Sequence, residues 1–424
     1  MSLGRTSSSS TLFSLEPPSY SPSGPLPTYF PSASSSELLH DQTPGYSKFN
    51  GTIIRKFGRD TLVLTNQDPH ADFPTYGLRV PVSGFLELEE RDKVSEVVLS
   101  LQGKIEARAT QRGSLSKKIL DESHTLWGLT KSTPASDADA ACPSTLPFSL
   151  DLPVQFDRDG KIHRLPPSYN MTFSVMGGTW VKITYTLSVA ITRGRGRSRI
   201  PQPAFLRTNT TTVPLRYTPR TRPAQAIQST ANAHPMYMPD QWRRTSTTMH
   251  PTVPAARRQL PAPQTTTIDV HLFTPSSGVL SLTDPIPIHV QLAGNPLSLG
   301  EFIASSATSQ LCEAQVQASV VRQLVLQING KDEACQYTLG STSLTPTTTF
   351  TGTASASTFD WAGDFRLEHG SGDVGSFNAG IVQAQDFILV EIVPAGYKSR
   401  SRCQSYGRVR LSQGVRLVAG ELPD

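Results

Sequence analysis

The stretch VKITYTLSVAITR, residues 181–193, has the plainest period in the chain. Val181, Ile183, Tyr185, Leu187, Val189 and Ile191 are apolar, and Lys182, Thr184, Thr186, Ser188 and Ala190 alternate with them. Successive side chains of a strand point to opposite faces, so this strand has one oily face and one wet face. Burying the six apolar side chains is worth roughly 1.5–3 kcal/mol each. Ordering the backbone costs roughly 1–2 kcal/mol per residue. The two sums nearly cancel, so the strand needs a second sheet over its apolar face. LPFSLDLP at 146–153 and LPPSY at 165–169 lead into it.

Strand candidates precede this stretch. Ile53–Ile54 and Leu62–Val63–Leu64 are short ones. Leu86 and Leu88 share a face, as do Val97, Leu99 and Leu101. Ser83–Gly84 and Gly103 punctuate these strands as bulges or tight bends do. KKILDESHTLW at 117–127 is the one short helix expected in this half. TTTVPLRYTP at 210–219 follows the central stretch. Strands at this spacing, with Pro and Gly turns, indicate an all-β sandwich.

Four segments emerge. Residues 1–48 are a tail: Ser and Pro make up 21 of the first 50 residues, and the few apolar groups have no period. Such a segment is expected to be disordered, because it buries too little surface to offset its ordering entropy. Residues 49–218 are the first sandwich. Residues 219–267 hold eight prolines, six arginines and one acid, Asp240, and read as a linker or long loop. MYMPDQW at 236–242 reads there as inert loop rather than docking peptide. Residues 268–420 return to β texture: IDVHLF, PIPIHVQL, RQLVLQING, DFRLE, DFILVEIV, GRVRL and VRLVAG. Pro285 and Pro287 place PIPIHVQL at a sheet edge. DFILVEIV, apolar on both faces, suits mid-sandwich. Two halves of similar texture suggest two sandwiches.

Composition excludes several classes. The four cysteines, Cys142, Cys312, Cys335 and Cys403, lie far apart with no metal spacing, and read as reduced thiols of a cytosolic protein. The first twenty residues carry no signal-peptide run. FILVEIV at 387–393 is too short to span a bilayer. The sequons at Asn170 and Asn209 therefore read as chance. No metal is expected, since the nine histidines make no HExxH or HxH pair. No GxSxG elbow or phosphate-binding GxxxxGK[ST] loop occurs. GSGDVG at 370–375 matches GxGxxG but opens no helix, so it reads as a β–β loop. Glu89–Glu90 reads as a solvated turn. Neither catalysis nor a cofactor is expected.

Charge is unevenly placed. Gly160 to Pro239 holds eleven Lys or Arg and no acid, so the chain's net +5 leaves −6 for the rest. That asymmetry points to an anionic partner. Arg193, Arg195, Arg197 and Arg199 space four charges along RGRGRSR, the candidate anion site, with anionic lipid or phosphate as ligand. No aromatic platform interleaves them, which argues against nucleic acid.

The tail carries the second candidate site. Pro17-Pro18-Ser19-Tyr20 is a PPxY motif. Paired prolines favour polyproline II, which loses little entropy on docking, and the tyrosine ring fills a second pocket of a WW-domain groove. Leu26-Pro27-Thr28-Tyr29 is a looser variant nine residues on, roughly 28 Å in extended geometry. Two linked WW domains holding both would gain avidity. A second PPSY, Pro166 to Tyr169, lies between strands and reads as structural.

VSGFLEL, VVLSLQGKI, LPFSLDLP, LPPSY and ITYTLSVAITR, in that order, resemble the N-terminal domain of the fungal α-arrestins, the arrestin-related trafficking adaptors. The resemblance covers about 49–218; residues 267–420 match by texture and position. It implies two tandem immunoglobulin-like β-sandwiches. It also implies an endocytic adaptor in the cytoplasm, recruited to plasma membrane or endosomes. Its partners would be cytosolic segments of membrane transporters or receptors and a WW-domain, HECT-type ubiquitin ligase. Pro17, Pro18 and Tyr20 match the family's ligase motif, and Leu26, Pro27 and Tyr29 match its looser form. Family members usually carry the motif behind the core, whereas here it stands ahead. The alternatives are a ligase-independent sorting scaffold of the same fold, or a carbohydrate-binding or enzymatic β-sandwich.

Overall fold

A computed structural model describes residues 37–39, 50–128, 142–173, 178–194, 206–224, 235, 237–251, 266–300, 302, 314–353, 356–367, 374–394 and 406–419. They are mostly strand, with one four-residue α-helix, Pro296–Leu299, and two short 3-10 turns. The strands form two pairs of facing sheets, each pair enclosing an apolar core.

In the first half, sheet A runs Gly51–Phe57, Asp60–Gln67, Val82–Glu87, Thr145–Leu150. Sheet B faces it and runs Thr75–Tyr76, Leu206–Tyr217, Thr179–Gly194, Val94–Ala109, Gly113–Gly128; Tyr169–Phe173 adds to its long strand. The six apolar residues from Val181 to Ile191 are all buried in this core, as are Val97, Leu99 and Leu101 on the neighbouring strand. Leu146, Phe148 and Leu150 meet them from sheet A. Gly103 lies opposite Tyr185, and a Cβ there would come within 2.8 Å of the Tyr185 ring. Glycine here serves a close approach of ring to backbone.

In the second half, sheet C runs Trp242–Met249, Ile268–Pro275, Ile286–Gly294, Ala356–Phe365, Thr345–Thr353. Sheet D runs Val279–Ser281, Val409–Val418, Val382–Val393, Gln315–Ile328, Lys331–Ser343. Burial alternates strictly along Val382–Val393, whose outward side chains are still half-covered, as befits a central strand.

Four expectations are corrected. Residues 117–127 are not helical but belong to the strand Gly113–Gly128. The apolar pairs Ile119–Leu120 and Leu126–Trp127 lie seven residues apart, which imitates two helical turns. Each pair sits at a break in register against Val94–Ala109: Leu120 faces Gly103 while Lys118 faces Lys104, so Ile119 is the extra residue of a bulge. PIPIHVQL is central, not an edge. Pairing with Ile268–Pro275 stops at His289, so the missing N–H of Pro287 costs no bond on that side. The segment 219–267 contains the strand Trp242–Met249, paired along its length with Ile268–Pro275. Its Arg and Thr side chains lie on an edge strand with only Thr245 and Met249 buried, which resembles linker composition. Finally, Glu37–Leu39, inside the expected tail, pairs with Thr221–Pro223.

Candidate functional site

The sequence-based sites divide sharply. Pro17, Pro18, Tyr20, Leu26, Pro27 and Tyr29 lie outside the described residues, as do Arg195, Arg197 and Arg199. Arg193 is described, and it is engaged. Its Nη2 donates to both oxygens of Asp60 at 2.7 and 2.8 Å, and Asp60 is only 4 % exposed. Arg193 thus ties the end of sheet B to sheet A rather than offering its charge to a ligand, a correction to its place in the anion site. Most of GSGDVG also falls outside the described residues. Glu89 and Glu90 are exposed in a turn, with Glu90 bridging to Arg59 and Lys93.

Polar chemistry gathers instead where the halves meet. Sheet D's inward face serves two cores. On Gln315–Ile328, Val316, Ala318 and Val320 belong to the second core, and Leu324, Leu326 and Ile328 belong to the first. On Val382–Val393, Ile388, Val390 and Ile392 face the second core, and Val382 and Ala384 face the first. The rung between carries Arg322 opposite Asp386, both completely buried. Nε and Nη2 of Arg322 donate to Oδ1 and Oδ2 of Asp386 at 2.7 and 2.9 Å, a two-pronged pair. Nη1 donates to the Val374 carbonyl at 2.7 Å. The Ser376 hydroxyl donates to Asp386 Oδ2 at 2.5 Å and accepts from the Leu417 N–H at 2.8 Å. Burial works against the Arg322 charge, but the adjacent Asp386 carboxylate outweighs it and holds the guanidinium proton above its ordinary range.

The second PPSY packs against this centre. Pro166, Pro167 and Tyr169 are buried. The Pro166 carbonyl accepts from the Tyr185 hydroxyl at 2.5 Å. The Tyr169 and Tyr337 hydroxyls share a hydrogen bond of 2.8 Å across the two halves. Burial first, then the facing Tyr337 phenol, raises the Tyr169 pKa well above that of a free phenol. This PPSY is structural, as its position between strands suggests.

A hairpin tip pins the far side of the junction. Asn329 and Gly330 both have positive φ, the two-residue turn favoured between twisted strands. The Asn329 side chain donates to the Arg112 carbonyl at 2.8 Å, and Arg112 Nε meets Glu333 at 3.3 Å. Arg158 donates to Gln327 at 3.3 Å.

Beside Ser376 the seam opens into a cleft. His163, Arg164 and Tyr217 of the first half line it, facing Ser376, Asn378 and Arg416 of the second. Burial, Arg158 and Lys161 together hold the His163 imidazole below its ordinary range, with Asp157 opposing them. The sequence gives one missed signal: His163 and Arg164 belong to the acid-free span from Gly160 to Pro239.

Among the described residues no group of three or more His, Cys, Asp or Glu side chains is placed to hold a metal ion. No helix among them is long and apolar enough to cross a membrane. The chain matches no protein-family model and no curated protein.

Proposed function

We propose that this chain is a non-catalytic adaptor of arrestin-like build. In this reading the two halves are tandem immunoglobulin-like sandwiches that hold cytosolic segments of membrane cargo. The tail recruits a WW-domain ubiquitin ligase through Pro17, Pro18 and Tyr20, with Leu26, Pro27 and Tyr29 as a second contact. The protein works in the cytoplasm, brought to the plasma membrane or endosomes by its cargo.

The observation that carries the reading is the joint between the halves. Leu324, Leu326, Ile328, Val382 and Ala384 of the second half pack into the first half's core. A shared apolar core makes a stiff body, suited to gripping one protein while a peptide ahead of it engages another. PPxY supplies the second grip, because a preformed polyproline segment docks at small entropic cost.

The experiment replaces the chain in cells by a version lacking residues 1–48 and follows turnover of surface transporters. Slowed turnover supports ligase recruitment. Unchanged turnover with cargo still bound favours the ligase-independent scaffold.

A further inference from the structure

The strands Gln155–Arg158 and Lys161–Arg164 form a hairpin that, among the described residues, joins neither large sheet of its half. No residue of either strand is buried. Asp159 and Gly160 turn it with positive φ, and the Asp157 side chain accepts the Gly160 N–H at 3.1 Å. A segment that buries so little opens more easily than the sheets behind it. On its second strand, His163 walls the cleft at the junction, which measures about 760 Å³ counting its open mouth.

The hairpin's hold on the second half is polar. Arg158 donates to Gln327 at 3.3 Å. The Arg158 guanidinium and the His163 imidazole also meet over one point of the facing turn, Gly380. A Cβ there would lie 2.8 Å from Arg158 Nη1 and 2.9 Å from His163 Nε2. That turn is fixed: Gly380 has a φ of +77°, and its N–H is bonded to the Asn378 side chain at 2.8 Å. The charges acting on His163 are those of Arg158 and Lys161, which oppose a proton there, and of Asp157, which favours one. Asp159 lies 3.3 Å from the Arg158 Nε. Gly113–Gly128, packed on the hairpin's first strand, carries Lys117, Lys118, Asp121, Glu122 and His124. From the second half, Gln327 and the turn at 378–380 bring no ionisable side chain. Arg164 and Arg416 line the same cleft, and among its described lining residues there is no Asp or Glu.

We propose that the hairpin at 155–164 is an acid-released flap: protonation of His163 lifts it from the turn at 378–380 and opens the cleft. A proton on the imidazole sets a second positive charge beside the Arg158 guanidinium, at a contact where the second half offers no carboxylate to receive it. With the flap closed, burial, Arg158 and Lys161 hold the imidazole below its ordinary 6.5; lifted into solvent, it regains that value. The open form therefore takes the proton first. Closure is at full strength above pH 6.5 and weakens as the pH falls below it. This inference stands apart from the ligase reading, since neither tail motif takes part.

The test is hydrogen exchange of the full chain, read by mass spectrometry near pH 7.5 and near pH 5.5. Protection is corrected for the intrinsic pH dependence of exchange and referred to the buried strand Thr179–Gly194. Wild type is compared with His163→Gln, His163→Asn and the exposed control His124→Gln. Peptides covering 155–164 and 376–381 are expected to lose protection in wild type by about threefold or more at the lower pH. His124→Gln should show the same loss. His163→Gln and His163→Asn should show none, whatever their protection at the higher pH, because the readout is the difference between the two conditions. Equal protection of wild type at both pH values overturns the inference. So does a loss that persists in both His163 variants or disappears in His124→Gln.

Discussion

Arg322 and Asp386 face each other on neighbouring strands at the one rung where sheet D passes from one apolar core to the other. On these two strands the neighbouring inward rungs are apolar: Val320 opposite Ile388 on one side, Leu324 opposite Ala384 on the other. The pair is a polar joint in a continuous greasy seam, and its bonds to Val374 and Ser376 fix where the following chain enters.

Removing one partner leaves a buried charge alone. Asp386→Ala should lower stability by about 3–5 kcal/mol. Arg322→Met combined with Asp386→Leu should recover most of that loss, since an apolar pair continues the rungs on either side. Urea denaturation of both variants checks this. A loss below about 1 kcal/mol in Asp386→Ala would contradict the pair's structural role.

Gly103 faces a ring, not solvent. Gly103→Ala sets a methyl 2.8 Å from Tyr185 and 3.0 Å from Leu120, and should cost about 1–3 kcal/mol through overpacking. Gly160→Ala has space around its side chain, but its φ of +77° makes the change strained for a different reason. Cutting Tyr185 back to Leu in the Gly103→Ala background should relieve only the Gly103 effect, measurable as coupling in a double-mutant cycle.

Much of the first half is legible in the sequence, because alternation survives wherever a strand has one wet face. The six residues from Val181 to Ile191 are the clearest case. Alternation fails at bulges, and Ile119–Leu120 and Leu126–Trp127 consequently resemble a helix. It fails also on edges: Trp242–Met249 and Lys331–Ser343 bury too few side chains to show a period. Arg322 and Asp386 carried a readable signal. Each stands in phase with the buried residues of its own strand, and a charge on the inward face demands a partner. Their pairing depends on strand order, which periodicity does not reveal. The cleft joins residues from both halves of the chain, so only the basic character of its first-half wall was visible.

Four of the five buried phenols among the described residues set the alkaline limit. Burial raises the pKa of Tyr76, Tyr169, Tyr185 and Tyr217 well above the ordinary 10.0. Below that value both folded and unfolded phenols are protonated, and their contribution is fully present. Above it the unfolded chain ionises first, so stability falls by about 1.4 kcal/mol per pH unit for each phenol until the folded values are reached. Circular dichroism and phenolate absorbance should therefore change together above pH 10. Phenolate appearing at these four positions while the fold persists would contradict the burial.

The thiols of Cys142 and Cys335 are buried. Burial pushes Cys335 up to about 11, with Glu333 adding to it; burial also raises Cys142, against the pull of Arg193 and Arg91. The thiolate is the reactive form, so neither should alkylate in the folded chain at neutral pH. Peptide mapping after iodoacetamide treatment, native against unfolded, checks both positions. Fast native labelling of Cys335 would mean that the junction opens.

The most direct measurement is capture of the full chain by immobilised tandem WW domains of a HECT-type ligase. Wild type is compared with Tyr20→Ala, Tyr29→Ala and the double variant. The account predicts strong retention of wild type, a marked loss in Tyr20→Ala, a smaller loss in Tyr29→Ala and background retention of the double variant. Equal retention of wild type and double variant would contradict it.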